Sequence, residues 1–77
     1  MEHIYITPVE GKTYRNANGS QYLCLKAEEV KERPWETKAL FRRIPDGWTL
    51  VAHGIQMYEP DGTIEWHYST NGHWSTS

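Results

Sequence analysis

The chain has 77 residues, of which 38% are hydrophobic, and its eight Lys and Arg against ten Asp and Glu give a formal net charge of -2. This balance argues against a protein that binds nucleic acid through a general attraction to phosphate, and it is too small for a mimic of DNA. A chain of this size buries roughly 60% of its unfolded surface. One domain over residues 1–77, with a core that is only just sufficient, is therefore predicted.

The single cysteine, Cys24, excludes an intrachain disulfide and is typical of proteins in a reducing interior. No basic and then apolar leader opens the sequence, and no run approaches the roughly 18 apolar residues that cross a bilayer. A cytoplasmic protein without a membrane segment is therefore predicted.

The first third of the chain predicts an edge strand and a hairpin. Residues 3–7 are apolar and partly β-branched, which favours an edge strand or an ordered arm. Asn18 and Gly19 lie between the strand-like segments 11–15 and 21–26. An Asn-Gly pair in this context is a strong hairpin signal, because both residues tolerate positive φ.

A charged segment follows the hairpin. Residues 27–33 contain good helix formers but lack the apolar stripe of a packed helix, so they predict a solvated loop or a single helical turn. Pro34 ends that segment, since it disfavours helical angles at the residue before it. Trp35 follows directly and is expected in the loop.

The middle of the chain predicts strands joined by turns. Residues 37–44 and 48–53 alternate as strands do, and the Pro-Asp-Gly sequence at 45–47 predicts the turn between them. Gly54 interrupts the second pattern and predicts a bulge or sharp bend. Residues 55–58 continue the strand beyond it.

Residues 46–66 are interpreted as a β-hairpin with an aromatic, histidine-bearing surface. A turn is predicted at 59–62, and a strand at 63–69 that places Ile64, Trp66 and Tyr68 on one side. Alternation assigns Ile64 and Trp66, with Leu50, mainly to the core. Residues 73–74 are expected to add a short terminal strand after an Asn-Gly turn.

Short strands separated by Gly, Pro and Asn turns indicate an all-β domain. We expect a small antiparallel barrel of five or six strands, of the SH3-like kind, because closure removes exposed sheet edges. The alternative is a twisted antiparallel sheet with one short helix packed on it, in the α+β class.

Metal binding and catalysis find little support in the sequence. His53, His67 and His73 could hold zinc with Glu65 or Cys24 as a fourth ligand, but no closely spaced pair of ligands fixes such a site. A metal-stabilised module therefore stays an alternative, and neither a metal nor another cofactor is predicted. No nucleophile lies in a recognisable catalytic context, so an enzyme is not predicted.

Nucleic-acid binding is the second function that the residues allow. Lys38, Arg42 and Lys26 could line one sheet surface, with Tyr or Trp rings that stack on exposed bases. Four Glu residues between positions 28 and 36 oppose this reading, since they cancel the local positive charge.

Protein recognition fits the residues best. Trp35 lies in a charged loop, Trp48 follows a turn and Trp74 lies near the end of the sequence, so at least one of these rings is expected at the surface. Trp, Tyr and Arg are enriched among binding hot spots. Residues on the outward face of segment 46–66 and the rings beside its turns are expected to join this surface. The predicted partner-binding residues are Trp35, Trp48, His53, Tyr58, Glu65, His67 and Trp74.

Two stretches, GKTYRNANGS at residues 11–20 and GWTLVAHG through NGHW at residues 47–74, resemble short uncharacterised proteins of phages and mobile elements of gut Firmicutes. The resemblance implies a small, soluble, cytoplasmic accessory protein that binds a host protein, in the manner of inhibitors of bacterial defence systems such as anti-CRISPR proteins. It brings no assigned catalytic or binding residues. The combined prediction is a non-enzymatic protein-binding module whose partner belongs to a host defence complex.

Overall fold

The computed structural model of the chain describes residues 2–74, which form eight β-strands and one short 3-10 helix at Pro34–Glu36. In chain order the strands are β1 (His3–Tyr5), β2 (Thr13–Arg15), β3 (Gln21–Glu28), β4 (Lys38–Arg43), β5 (Thr49–His53), β6 (Gln56–Tyr58), β7 (Thr63–Glu65) and β8 (Tyr68–Asn71). The predicted all-β class is confirmed. Within residues 2–74 no helix has the length and apolar character needed to cross a membrane.

All strand pairs are antiparallel and build two sheets. The small sheet has the order β1-β6-β7, and the large sheet has the order β2-β3-β4-β5-β8. One isolated parallel bridge, between Asn16 and Ile64, joins β7 to the chain just after β2. The predicted closed barrel is wrong, because a single bridge does not continue the hydrogen-bonded ladder from one sheet to the other.

Both sheets turn one side to a common core. The large sheet contributes Phe41 and Leu50, which are cross-strand partners, and the small sheet contributes Ile64. Aromatic rings surround Phe41: Tyr22 meets it edge-on at 6.1 Å, and Trp66 stacks on it at 5.7 Å. Trp66 thus packs against the core as predicted, although its side chain stays partly exposed.

The chain passes between the sheets three times, and residues 6–12 make the first passage, from β1 of the small sheet to β2 of the large sheet. Gly54 lies between β5 of the large sheet and β6 of the small sheet, at the predicted bend. Residues 66–67 carry the chain back from β7 to β8. The segment 46–66 is therefore not one hairpin, and only β6 and β7 within it pair with each other through the predicted turn.

The crossing at residues 66–67 also divides the predicted strand at 63–69. Once the chain leaves the small sheet after Glu65, the period-two alternation no longer applies across the break. Tyr68 joins the large sheet beside His53 and is 58% exposed, so its predicted position alongside Ile64 is wrong.

Elsewhere the local predictions have mixed outcomes. The edge strand β1 and the hairpin formed by β2 and β3 are confirmed. Strand β3 continues through Glu28, so residues 27–33 are strand and turn and include no helix. Trp35 lies in the 3-10 helix that begins at Pro34. Residues 73–74 form no strand.

Candidate functional site

The crossings at Gly54 and at residues 66–67 bring together residues that are distant in the sequence. Gly54 has a φ of 72°, and a Cβ at this position would lie 2.2 Å from Cδ2 of His67 and 3.0 Å from the carbonyl oxygen of Trp35. The backbone N–H of His67 donates to the carbonyl of His53 at 2.9 Å. Trp35, His53 and His67 therefore have backbone or ring atoms around one glycine.

The outward side of the small sheet is aromatic and polar. The antiparallel register places His3 opposite Tyr58, and Gln56 opposite both Tyr5 and Glu65. Cross-strand partners project from the same side of a sheet, and Met57 and Ile64, which lie between them in β6 and β7, pack on the core. Together with the adjacent His67 these side chains form a surface that we call the small-sheet face: His3, Tyr5, Gln56, Tyr58, Glu65 and His67.

Side-chain contacts fix the rings of the small-sheet face in position. In the tautomer with its proton on Nδ1, His67 accepts a hydrogen bond at Nε2 from the Tyr5 hydroxyl at 2.7 Å, and Nε2 of Gln56 lies 3.2 Å from the same atom. The His3 ring lies 5.0 Å from that of Tyr58, and its Nε2 lies 3.7 Å from a Glu65 oxygen. These rings are ordered although the face is open to solvent.

Charge is divided unevenly between the sheets. Residues 2–7 and 54–67, which contain the small sheet and its connections, include no Lys or Arg, so all eight basic residues of the chain lie elsewhere. The acidic residues in these segments are Glu2, Glu59, Asp61 and Glu65. The hydroxyl of Thr63 donates to Asp61 at 2.7 Å, and this bond lowers the pKa of the carboxyl. The small sheet is therefore negatively charged at neutral pH.

An open pocket of about 270 Å³ borders the small-sheet face. Its walls include Tyr58 and Ala17, and the carboxylates of Asp61 and Glu65 lie on its border. The pocket combines an aromatic ring with negative charge, and this combination suits a basic side chain.

A second group of rings lies on the outward side of the large sheet. Lys38, His53 and Tyr68 are register partners across β4, β5 and β8, and the Tyr68 ring lies flat on that of His53, with centroids 4.4 Å apart. Nζ of Lys38 lies 4.8 Å from the Trp74 ring centroid. Burial, and then the charge of Lys38, lower the pKa of His53. Its Nε2 is buried and has no hydrogen-bond partner among residues 2–74.

Trp48 lies apart from both groups, beside the turn that joins β4 and β5. Asp46 organises this turn, since it accepts hydrogen bonds from the Arg43 guanidinium and from the backbone N–H of Trp48. The guanidinium carbon of Arg43 lies 5.0 Å from the Trp48 ring centroid, and that ring is 50% exposed. Trp48 is thus a rigid exposed ring, but at the end of β5 that is remote from His53.

The predicted partner-binding residues therefore divide among several places. Tyr58, Glu65 and His67 share the small-sheet face, while His53 and Trp74 belong to the second group of rings. Trp35 is 50% exposed and lies next to the crossing at Gly54. Tyr5 and Tyr68 complete these surfaces and were not predicted, because one lies in a short edge strand and the other was assigned to the wrong side.

The histidines do not gather around a metal. Within residues 2–74, no three His, Cys, Asp or Glu side chains are grouped so that they could hold a metal ion. His53 stacks on Tyr68, whereas His67 bonds to Tyr5 on the small sheet.

Comparison with protein-family models, curated proteins and solved structures finds no significant match to this chain.

Proposed function

We propose that the chain is a non-enzymatic protein-binding module whose small-sheet face contacts a partner with a basic surface. The observation that carries the proposal is a pair of exposed rings, Tyr5 and His67, that hydrogen-bond each other within an acidic surface. The resemblance to phage and mobile-element proteins extends the proposal to an inhibitor of a host defence protein in the cytoplasm.

Ring order supports protein recognition because it lowers the entropy lost on binding. Tyr presents a large amphipathic surface with few rotatable bonds, and such residues are frequent in binding hot spots. The contacts of Tyr5 with His67 and of Tyr58 with His3 limit ring motion before a partner arrives. A preorganised surface loses less side-chain entropy when it becomes an interface.

Charge supports a basic partner. The small sheet lacks Lys and Arg and carries four acidic residues in its strands and connections. A guanidinium or ammonium group of the partner would fit the pocket between Tyr58 and the carboxylates of Asp61 and Glu65. The same charge repels phosphate, so a nucleic acid does not suit this face.

The SH3-like relationship expected from the sequence stays a prediction. The two sheets pack on one core, and the proposal does not require that they close into a barrel. Protein binding through the small-sheet face depends on the exposed side chains and not on that relationship.

The proposal is tested by affinity purification from a bacterial host with the immobilised chain, after nuclease treatment. The recovered protein is then purified, and its binding to variants is measured. We expect Tyr5→Ala and Glu65→Lys each to weaken binding by about tenfold, as for hot-spot residues. Glu65 is exposed, so Glu65→Lys should keep the wild-type melting temperature. Tyr5→Ala also loses the hydrogen bond to His67 and should melt at a lower temperature, so its binding is compared under conditions where circular dichroism shows it folded.

Trp48→Ala is the matched control, because it removes an equally exposed ring from another part of the molecule. It should bind the partner as well as the wild type does. The proposal would be refuted if every partner recovered without nuclease were lost after nuclease treatment. Loss of binding in Trp48→Ala, with Tyr5→Ala unaffected, would move the interface to the turn between β4 and β5.

A further inference from the structure

The outward side of the large sheet is basic, unlike the small-sheet face. Lys26 lies opposite Leu40 and Arg42 lies opposite Leu23, while the residues that alternate with them turn to the core. The register therefore places Lys26, Lys38 and Arg42 on one surface. We call the surface formed by these residues and the adjacent rings the large-sheet face: Lys26, Lys38, Arg42, His53 and Tyr68.

Two of the cations on this surface are available to a ligand. Lys26 and Arg42 are exposed, and within residues 2–74 no ion pair, hydrogen bond or ring contact engages their side chains. Glu28 is the acidic residue of β3 on the same side, opposite Lys38. Positive charge thus exceeds negative charge on this face, although the whole chain carries -2.

The rings of the large-sheet face provide a stacking platform. His53 covers one side of the Tyr68 ring, with an interplanar angle of 3°, and Tyr68 is 58% exposed. The free side of Tyr68 can continue the stack with another planar ring. The lowered pKa of His53 keeps its imidazole uncharged at neutral pH, so the platform stacks without adding to the positive charge of Lys26 and Arg42.

We infer that the large-sheet face binds single-stranded nucleic acid, with one base stacked on Tyr68 and phosphates beside Lys26 and Arg42. Strands lie about 4.8 Å apart, so β3 lies roughly 14 Å from β8 across the sheet. A single-stranded nucleic acid that spans this distance would contact the Tyr68 ring and the side chains of Lys26 and Arg42. Exposed bases stack on aromatic side chains without a need for base-specific hydrogen bonds. The inference uses a different surface from the proposed protein interface and does not depend on it.

Fluorescence anisotropy with a labelled oligothymidylate of about twelve nucleotides tests the inference. Across a salt series, two neutralised phosphates predict a slope of about -1.4 for log K against log salt concentration. Lys26→Gln and Arg42→Gln should each reduce the magnitude of that slope by about 0.7. Tyr68→Ala should weaken binding about tenfold with little change in slope, because it removes stacking and no charge.

Lys31→Gln is the matched control, since it neutralises an exposed cation in the loop after β3. It should leave both affinity and slope unchanged. Absence of binding at low salt would overturn the inference, as would equal weakening by Lys31→Gln. A preference for duplex over single strand would overturn the stacking role of Tyr68. Circular dichroism of each variant distinguishes lost binding from lost folding.

Discussion

The imidazole of His67 packs against Cα of Gly54 so closely that a methyl group there would lie 2.2 Å from Cδ2. Gly54→Ala would also force an L residue to adopt a φ of 72°, which costs about 1–2 kcal/mol. Since His67 must rotate away, its hydrogen bond to Tyr5 is lost as well. We expect a total loss of about 2–5 kcal/mol in the free energy of unfolding, measured by urea denaturation.

Gly62→Ala separates the two causes. Gly62 has a φ of 74°, but nothing lies within 4 Å of the position that its Cβ would occupy. This variant should lose only the backbone contribution of about 1–2 kcal/mol. Equal losses in the two variants would show that the contact with His67 is easily relieved.

The buried Nε2 of His53 predicts a stabilising substitution. An unsatisfied buried polar atom costs about 1–3 kcal/mol, and Nε2 of His53 has no hydrogen-bond partner in the part of the chain that the structure describes. His53→Phe keeps a flat ring against Tyr68 and removes that atom, so it should raise the free energy of unfolding by about 1 kcal/mol. His67→Phe is the contrasting variant. It removes the Nε2 atom that accepts the hydrogen bond from Tyr5, so it should lower the free energy of unfolding. Thermal denaturation of both variants measures the difference.

Stability should fall as the pH falls below about 6.5, the ordinary pKa of histidine. Burial and the charge of Lys38 lower the pKa of folded His53, so the unfolded chain binds its proton at a higher pH than the folded chain does. The stabilisation from His53 is therefore complete above pH 6.5 and decreases as the pH falls towards the folded-state pKa. Melting temperatures between pH 8 and pH 5 test this, since His53→Phe should flatten the decline. An unchanged profile in that variant would assign the effect to another group.

The thiol of Cys24 should react slowly in the folded protein. Its side chain is fully buried and donates weakly to the carbonyl of Lys26. Burial, with a smaller effect of Glu10, raises the pKa of the thiol to about 11. The thiolate is the reactive form, so a disulfide reagent at pH 8 should modify Cys24 only as fast as the structure opens. Denaturant should restore the rate of a free thiol, whereas fast labelling of the native protein would contradict the burial.

Local patterns in this sequence predict turns well, and strand partners less well. Asn18-Gly19 and the Pro-Asp-Gly turn at 45–47 lie where predicted, because the conformations of these residues are set by local sterics. The division at residues 66–67 could not be read from alternation, since Ile64, Trp66 and Tyr68 alternate with polar residues in the sequence without a break. Trp66 stacks on Phe41 at this break, and such a tertiary contact is not visible in a local pattern.

The candidate surfaces were predictable only in part for the same reason. Glu65 and His67 were expected on an outward face and are exposed there, and Tyr58 was expected only as a ring beside a turn. Their neighbour Tyr5 comes from the other end of the chain, through a pairing of β1 with β6 that no local pattern indicates. The sequence already shows that residues 54–67 contain no Lys or Arg. Only the pairing of β1 with β6 shows that these residues belong to a sheet that lacks both residue types.

Asp46 should hold the turn at Trp48 in place until strongly acidic pH. Hydrogen bonds from the Arg43 guanidinium and the backbone N–H of Trp48 lower the pKa of Asp46 from 3.8 to about 2. The stabilisation is therefore present above pH 3.8 and is lost as the pH falls towards 2. The NMR signal of the Trp48 indole N–H should move over this interval, as protonated Asp46 releases Arg43 from the ring. In Asp46→Asn the signal should start near its low-pH position and stay there, because the amide cannot pair with the guanidinium charge. A wild-type signal that titrates near pH 4 would show that the contacts with Arg43 do not persist in solution.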